Sequence, residues 1–408
     1  MVTTPNFIHE TNRNMSTQPS GRMTPLRLLA LAVFCGVSAS IVYIPQALLT
    51  DISSDLGVSH QVASLIAASA LLGYAVGILF LIPFGTRVRS SRQVIVQASV
   101  LTGALLLTAL SQNVAAASAA FFAVGLVGNL AQVIIPAANR MCAPEKRGFT
   151  NSVLVGALLV GLFGGRALAS ASTDWIGWRG TIAACALLVV LTLPSTLWAL
   201  RRAAPPVGSA LSHLALVSAS LRSARGNPVL LRAAFTQSLV LATFNSVWAV
   251  MVLHLTGPPL SWTVTQAGLF GLVGLVAGFL TPWSGRFIDA HGARRMTGFF
   301  LLVLLLSSGA IYLTHSAPVL FGVVLFFSTW ANQSALSGNQ VQALSTSPEH
   351  SAQINTAFSF IVFFIGGFGG FVGPLTFTMG GISAVAVEVT VSSTLAMLVW
   401  RFGPGPRH

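Results

Sequence analysis

The side chains with the clearest capacity for chemistry are amides and tryptophans that interrupt long apolar runs. In one run Trp330, Gln333 and Gln340 recur at helical spacing, so they lie on one face of a predicted helix. Other runs hold further candidates of the same kind: Tyr43, Gln46, Gln132, Gln237, Asn245 and Trp248. Such side chains can hydrogen-bond a neutral, amphipathic or anionic ligand, whereas a strongly cationic ligand would favour a buried carboxylate. We therefore predict a ligand-binding surface, although any single amide could instead bind a neighbouring helix.

Arg166 places a cation deep within another apolar run. A charge in such a position is costly unless it meets a partner or water, and it marks a functional site by default. Two interpretations stay open from the sequence. In the functional interpretation, Arg166 binds an anion or substrate, or its charge stabilises one gate. In the structural interpretation, it caps backbone carbonyls beneath Gly164 and Gly165.

These side chains belong to a chain whose composition excludes a water-soluble globule. Of its 408 residues, 7% are charged and 54% are hydrophobic, and the formal net charge is +13. A soluble domain is typically about 25% charged. Disordered chains are rich in charge and poor in apolar residues, which excludes that class as well. The composition leaves a membrane protein whose helices face the lipid bilayer.

Twelve apolar runs are long enough to cross a bilayer, since a spanning helix needs about 20 mostly apolar residues. They cover residues 28–50, 61–84, 93–111, 114–139, 149–172, 180–200, 229–254, 263–285, 296–314, 317–344, 352–378 and 381–401. The chain thus divides into a polar tail (1–24), six spans (25–200), a basic linker (201–228), six further spans (229–402) and a short tail (403–408). In the linker, an apolar stripe predicts a short interfacial helix. The stripe consists of Leu211, Leu214, Val217 and Leu221.

Basic residues are concentrated in alternate loops, which orients the predicted spans. With the N-terminus in the cytoplasm, nearly all Arg residues and Lys146 fall in cytoplasmic segments, and the outer loops hold only Arg179. Cytoplasmic retention of basic loops produces this asymmetry, so both termini are predicted to be cytoplasmic. Because the basic residues are spread along the chain, they do not form the clustered patch of a nucleic-acid-binding protein.

One loop pattern occurs twice, six spans apart. After the eighth span the chain reads G-x-φ-x-D-x-x-G-x-R-R. Its fixed positions are Gly285, Asp289, Gly292, Arg294 and Arg295. A similar glycine- and arginine-rich loop, residues 83–92, follows the second span. Glycine allows a tight turn, the acid can cap a neighbouring helix, and the arginines can bind backbone carbonyls or lipid phosphate.

With these motifs the chain resembles the major facilitator superfamily over roughly residues 25–402, and the 285–295 loop is similar to that family's cytoplasmic signature. Several stretches look like its bacterial drug- and metabolite-efflux branch: residues 43–49, 147–148, 161–166, 174–179, 268–274 and 355–370. The resemblance implies an all-α membrane protein with twelve transmembrane helices in two pseudo-symmetric six-helix bundles around a central cavity. It also implies proton-coupled export by alternating access across the inner membrane, with the 285–295 loop as a gating loop.

In the family that the chain resembles, spans one, four, seven and ten line the cavity, and these spans carry the amides and tryptophans named above. The predicted substrate-binding set is therefore Tyr43, Gln46, Gln132, Arg166, Gln237, Asn245, Trp248, Trp330, Gln333 and Gln340. The candidates for proton coupling are Asp51 and Glu388, although Glu388 could also serve as a contact of the last span. Glycine runs at 161–165 and 366–370 stand at equivalent places in the two halves, and we predict that they let the bundles rock against one another.

Other classes of function lack the residues that they need. A membrane-embedded enzyme needs a cluster of acids, His or Cys, and a channel needs a repeated pore loop or a charged ring; the sequence contains neither pattern. Three widely spaced cysteines show no metal or disulfide spacing, so no cofactor is expected. The expected partners are a small-molecule substrate, protons and the lipid bilayer, with the chain as a monomer. Uptake of a small metabolite, or a membrane role without transport, stays open as an alternative.

Overall fold

The structure, a computed structural model, describes residues 23–203 and 212–403, and within these ranges every regular element is helical. The α-helices are α1 (Pro25–Ala47), α2 (Leu49–Asp55), α3 (His60–Leu81), α4 (Ser90–Ala109), α5 (Val114–Val127), α6 (Leu130–Arg140), α7 (Arg147–Leu200), α8 (His213–Arg225), α9 (Pro228–Thr256), α10 (Val264–Phe270), α11 (Leu272–Phe279), α12 (Thr281–His291), α13 (Ala293–Thr314), α14 (Pro318–Leu344), α15 (Ser351–Gly366) and α16 (Gly369–Phe402). Short 3-10 turns stand at Pro83–Thr86, Pro144–Lys146 and Pro348–His350. The predicted all-α class is confirmed for the described residues.

Ten helical stretches of the described residues are long and apolar enough to cross a membrane. Two of them, α7 with 54 residues and Ser351–Phe402 with 52, are long enough for two crossings each. A glycine in the left-handed region interrupts both: Gly177 (φ 66°) in α7 and Gly381 (φ 63°) in α16. The parts of α7 on either side of Gly177 are about 45 Å and 35 Å long, and a bilayer core is about 30 Å thick. The described chain therefore holds ten to twelve spans.

At least three of the predicted spans are interrupted rather than continuous. The eleventh is divided into α15 and α16 at Gly367 and Phe368. The fourth is divided into α5 and α6 at Gly128 and Asn129. The side-chain amide of Asn129 donates to the carbonyl oxygen of Leu126 at 3.1 Å, and such a bond competes with the helical ladder. The eighth is divided into α10, α11 and α12 at Gly271 and Leu280. These breaks leave the apolar pattern unchanged, which is why the sequence predicts a single span in each place.

The linker contains α8, and its buried face differs from the predicted stripe. Leu216 and Val217 are buried, whereas Leu214 and Leu221 are 72% and 44% exposed. Leu211 lies outside the described residues. The reason is tertiary, because α8 packs against α15, α9 and the turn that follows α3. These contacts, rather than apolar periodicity, decide which face of α8 is covered.

For description, we call α1–α7 the first half of the molecule and α9–α16 the second half. Within the first half α1 packs against α7 and α3 against α5; within the second, α9 packs against α15 and α16, and α13 against α14. The halves meet where α3 contacts α15 and α16, and where α7 contacts α10 and α11. A further contact joins α1 to α9, and this is where the candidate site lies.

Candidate functional site

A chain of hydrogen bonds passes from the first half of the molecule to the second. Arg166 on α7 is only 5% exposed, and its Nη2 donates to Gln46 Oε1 on α1 at 2.6 Å. Gln46 Nε2 donates to Asn245 Oδ1 on α9 at 3.4 Å, and Asn245 Nδ2 donates to the carbonyl oxygen of Gly366 on α15 at 3.0 Å. Four helices are thus connected through three buried polar side chains. We call Arg166, Gln46 and Asn245 the junction network.

Aromatic rings surround the guanidinium of Arg166. Its central carbon lies 5.0 Å from the ring centroid of Tyr43, 5.7 Å from that of Phe244 and 5.3 Å from that of Trp248. Phe163 packs against both Phe244 and Trp248, with centroids 6.1 Å and 5.2 Å away. Rings at these distances attract a cation through their quadrupole, which offsets part of the cost of its burial.

Helical spacing explains why these side chains meet. Each of three helices contributes two of them at positions i and i+3, which share a face: Tyr43 with Gln46 on α1, Phe163 with Arg166 on α7, and Asn245 with Trp248 on α9. The sequence identified five of these six and missed Phe163 and the adjacent Phe244. Both are phenylalanines in apolar runs, where a binding residue and a core residue look alike. The spacing of Phe163 to Arg166 was the available signal.

Arg166 has more hydrogen-bonding capacity than its surroundings use. Its Nε and Nη1 are buried and have no hydrogen-bond partner among the described residues. Its recorded hydrogen bond goes to the Gln46 side chain, not to a backbone carbonyl near Gly164 or Gly165. The geometry therefore favours the binding interpretation of Arg166 over the interpretation as a helix cap.

Three further predicted side chains of the second half, those of Gln237, Trp330 and Gln340, bond to neighbouring helices. Gln237 on α9 accepts from Asn339 on α14 at 3.0 Å. Trp330 Nε1 donates to Ser284 on α12 at 2.9 Å, among helices of the second half and apart from the junction network. Gln340 Nε2 on α14 donates to Asn355 on α15 at 2.7 Å. These contacts match the interhelical alternative that the sequence left open.

A cavity of about 230 Å³ lies between the halves, on the side where α1 begins, which is the predicted cytoplasmic side. Its lining includes Ile82, Thr86, Gln132, Pro136, Ser220 and Asn355. Gln132 is thus a predicted residue that lines this cavity, and Gln333 is half-buried on α14. The junction network lies towards the other side, because Gln46 stands one residue before the end of α1. The junction is closed near that end and open near the cytoplasmic end.

The two candidates for proton coupling stand apart from Arg166. Asp51 lies in α2, where burial raises the pKa of its carboxyl; its own backbone hydrogen bond lowers this pKa, and the charge of Asp174 raises it. Glu388 lies in α16 and accepts a hydrogen bond from Ser392 at 3.3 Å. Asp174 accepts a hydrogen bond from Thr265, so a polar contact also joins α7 to α10 at the predicted outer side.

The repeated loop is more helical than the sequence suggests. Helix α12 contains Gly285 and Asp289, α13 begins directly afterwards with Arg294 and Arg295 in its first turn, and Gly292 alone forms the connection. Gly292 has φ 86°, a left-handed conformation that side chains with a Cβ rarely adopt. The predicted cap is not formed, since no side chain caps the N-terminus of α13. A one-residue turn leaves Asp289 too far back on α12 to reach that position.

In its described part the chain is all-helical, with ten to twelve bilayer-length helices and a buried polar network where its halves meet. This is the structure of a multi-pass membrane transporter. The chain belongs to the Major Facilitator Superfamily, whose family model matches residues 28–374. It is a non-enzymatic transporter, and the predicted family is confirmed.

Two relatives show how the family likeness extends along the chain. The chain is 26% identical over 386 residues to the uncharacterized transporter YgaY of Escherichia coli O157:H7, which covers 94% of this chain and 97% of the relative. It is 29% identical over 321 residues to the chloramphenicol efflux pump Rv0191 of Mycobacterium tuberculosis strain H37Rv, which covers 76% of this chain and 75% of the pump.

Solved transporter structures share the fold. A crystal structure of a variant of the nucleoside transporter NupG superimposes with a TM-score of 0.73 at 15% identity, covering 92% of this chain and 98% of that one. A structure of the peptide transporter POT gives 0.68 at 14% identity, covering 93% and 96%. At these identities the likeness concerns the fold alone.

Proposed function

We propose that this protein exports a small organic molecule across the inner membrane by alternating access, driven by proton entry. In this proposal the ten apolar stretches amount to twelve spans, because Gly177 and Gly380–Gly381 each divide a stretch that is long enough for two crossings. The spans form two six-helix bundles, with both termini in the cytoplasm as the alternation of basic loops predicts. The bundles are the two halves defined above, joined by the linker that contains α8.

The junction network is the observation that carries the proposal. It closes the contact between the halves near the predicted outer side, while the cavity of about 230 Å³ separates them near the cytoplasmic side. A site that faces one side and is closed to the other is what alternating access requires. In the outward-facing state the bond between Gln46 and Asn245 breaks, and Arg166 becomes accessible to the outside.

The direction of transport is proposed from the relatives and from the available acids. A chloramphenicol efflux pump is 29% identical over three quarters of the chain, which favours export. Export against a gradient needs an energy source. If protons supply it, they must bind to a titratable group whose exposure differs between the inward-facing and outward-facing states. Asp51 beside the outer junction and Glu388 behind α9 are the candidates, because each is close to an element that contacts the other half.

The test compares cells that express the protein with cells that do not, over a growth-inhibition panel of antibiotics that includes chloramphenicol, with and without a proton uncoupler. We expect protection against at least one compound, lost when the uncoupler is present. Asn245→Ala is expected to lower this protection at unchanged membrane abundance. Ser308→Ala, which removes a hydrogen bond to Ser393 inside the second half, is the control and is expected to retain it. Accumulation of a labelled compound, rather than its exclusion, would identify an uptake permease instead.

A further inference from the structure

We infer that the substrate carries an anionic group on a flat apolar body, and that Arg166 binds the anionic group. This inference rests on the proposed transport function and adds a substrate class to the same site. The observation behind it is a guanidinium that is buried at the junction of the halves, holds two unused donor nitrogens, and is surrounded by rings.

No carboxylate of the protein compensates the charge of Arg166 within the described residues. The ion pair recorded there joins Arg179 to Asp55, at the predicted outer surface of the first half. Asp174 bonds Thr265, and Glu388 bonds Ser392 behind α9. A buried cation without a counter-ion is costly in a membrane, so a site that keeps one gains most from a ligand that supplies the missing negative charge.

Each unused donor forms, together with the neighbouring Nη2, an edge of the guanidinium that matches the geometry of an acid. Arginine has five N–H donors in a planar fork, and a carboxylate or phosphate accepts two of them side by side. In the closed conformation one hydrogen bond is recorded, from Nη2 to the neutral amide oxygen of Gln46. Nε and Nη1 stay without an acceptor in the described part of the chain. A neutral acceptor would accept from one donor. An acid would accept from two donors and would also neutralise the positive charge of the guanidinium.

The apolar part of the substrate follows from the walls of the site. Tyr43, Phe244 and Trp248 surround the guanidinium, and Phe163 packs against the last two. These rings offer faces against which a flat ring can stack. Among the described residues, the hydrogen bonds recorded beside these rings are made by the side chains of Arg166, Gln46 and Asn245. A substrate with many hydroxyl groups, such as a sugar, would leave most of them without partners here.

Binding of an acid would also act on the junction itself. The acid competes with Gln46 for Nη2 of Arg166, and a released Gln46 no longer holds its amide towards Asn245. The hydrogen bond between the halves is then weakened by the same event that binds the substrate. This couples occupancy of the site to its opening, which a transporter needs and a purely structural arginine does not provide.

The test uses purified full-length protein in detergent, heated with benzoate, salicylate, 2-naphthoate or indole-3-acetate, and in parallel with the primary amide of each acid. We expect at least one acid to raise the melting temperature by about 2 °C or more, while its amide does not. Arg166→Gln should abolish that shift, and Arg166→Lys should weaken the affinity for the acid about tenfold, because the fork geometry is lost. Arg179→Gln, which removes an arginine of the same half, should leave the shift unchanged.

The inference is overturned if no acid stabilises the protein more than its amide, or if Arg166→Gln keeps the full shift. Should Arg166→Gln fail to fold, Arg166→Lys decides, and an unaltered affinity for the acid overturns the inference. Failure of the proposed function has a different signature: acids bind to the purified protein, but none moves across proteoliposomes when a proton gradient is applied. Protection of cells against neutral compounds alone would keep the function and reject the substrate class.

Discussion

Glycines pack differently inside each half of the molecule than between the halves. Inside a half, several pairs of helices touch backbone to backbone: a Cβ added at Gly161 would overlap the carbonyl oxygen of Gly36, and one added at Gly369 would overlap that of Ala242. Between the halves, an added Cβ would meet side chains. At Gly274 it would overlap the ring of Phe163, and at Gly278 it would lie 3.1 Å from Cδ1 of Leu159.

The difference separates rigid contacts from adjustable ones. Backbone atoms of two helices cannot move aside without moving the helices, so the contacts inside a half keep each half together as a body. Side chains can change rotamer, so the contacts between the halves tolerate small displacements. The sequence predicted that the glycine runs at 161–165 and 366–370 serve motion between bundles. The structure places most of their close contacts inside a half, where α1 meets α7 and where α9 meets α15 and α16.

The largest expected effect is at a backbone contact inside a half. Gly161→Ala forces α1 and α7 apart, because the new methyl group would overlap the carbonyl oxygen of Gly36. Overpacking of this kind costs about 1–3 kcal/mol, so we expect a marked fall in the melting temperature and in membrane abundance. The measurement is thermal unfolding of the purified protein in detergent.

Gly164→Ala is the matched control for Gly161→Ala. Its added Cβ has Val160 as its nearest neighbour, at 3.9 Å, which is ordinary contact. Alanine is also the better helix former by roughly 0.5–1 kcal/mol, so we expect this variant to melt at the wild-type temperature or slightly above. Equal losses in both variants would remove the distinction between close and open glycine positions in α7.

A smaller loss of stability, but a clear loss of transport, is expected at a contact between the halves. Gly268→Ala brings a methyl group to 2.6 Å from Cβ of Ser170 and disfavours the state in which α7 and α10 touch. A shift of about 1 kcal/mol between the two states changes their ratio roughly fivefold. We therefore expect transport to fall several-fold while the melting temperature changes little.

Adding Ser170→Gly to Gly268→Ala gives the control, since it removes the atom with which the methyl group collides. Recovery of transport in the double variant would assign the defect to this contact. If the single variant unfolds as readily as Gly161→Ala, or if the double variant does not recover, the contacts between the halves are as rigid as those inside them.

The sequence could predict an all-helical membrane protein and could single out Arg166 within an apolar run, but not which residues meet. Apolar length identifies helices because lipid leaves them few alternatives, and Arg166 stands out because charge is rare there. Its contact with Gln46 depends on how α1 packs against α7, which periodicity does not encode. The same limit explains α14, where Trp330 and Gln340 share a predicted face yet bond to different helices. Leu214 on α8 shows it again, since the neighbours of α8 rather than its apolar stripe determine its burial.

The smallest expected effect concerns a charged contact inside the first half, at the predicted outer surface. Arg179 donates to Asp55 and to the carbonyl oxygen of Ser111 at 2.8 Å, which ties together α2, α7 and the end of α4. Both side chains of the ion pair are over a third exposed (37% and 42%), so water screens it and its contribution is at most about 1 kcal/mol. We expect Asp55→Asn to lower the melting temperature by only a few degrees at neutral pH and to leave transport unchanged.

The contribution of this contact to the stability of the folded protein depends on pH, and the pKa of Asp55 determines the direction of that dependence. The hydrogen bond from Arg179 lowers the pKa of Asp55 below its usual value. A carboxyl whose pKa is lowered by folding stabilises the folded state above its unfolded pKa, near 4, and loses that contribution as the pH falls through the lower folded value. The difference in melting temperature between wild type and Asp55→Asn should therefore be constant above about pH 5 and shrink below pH 4. A difference that grows on acidification, or a transport defect in Asp55→Asn, would contradict this prediction. Either result would mean that the contact between Arg179 and Asp55 changes between the states of the transporter. Such a change is expected instead for the contact between Asp174 and Thr265, which joins the two halves.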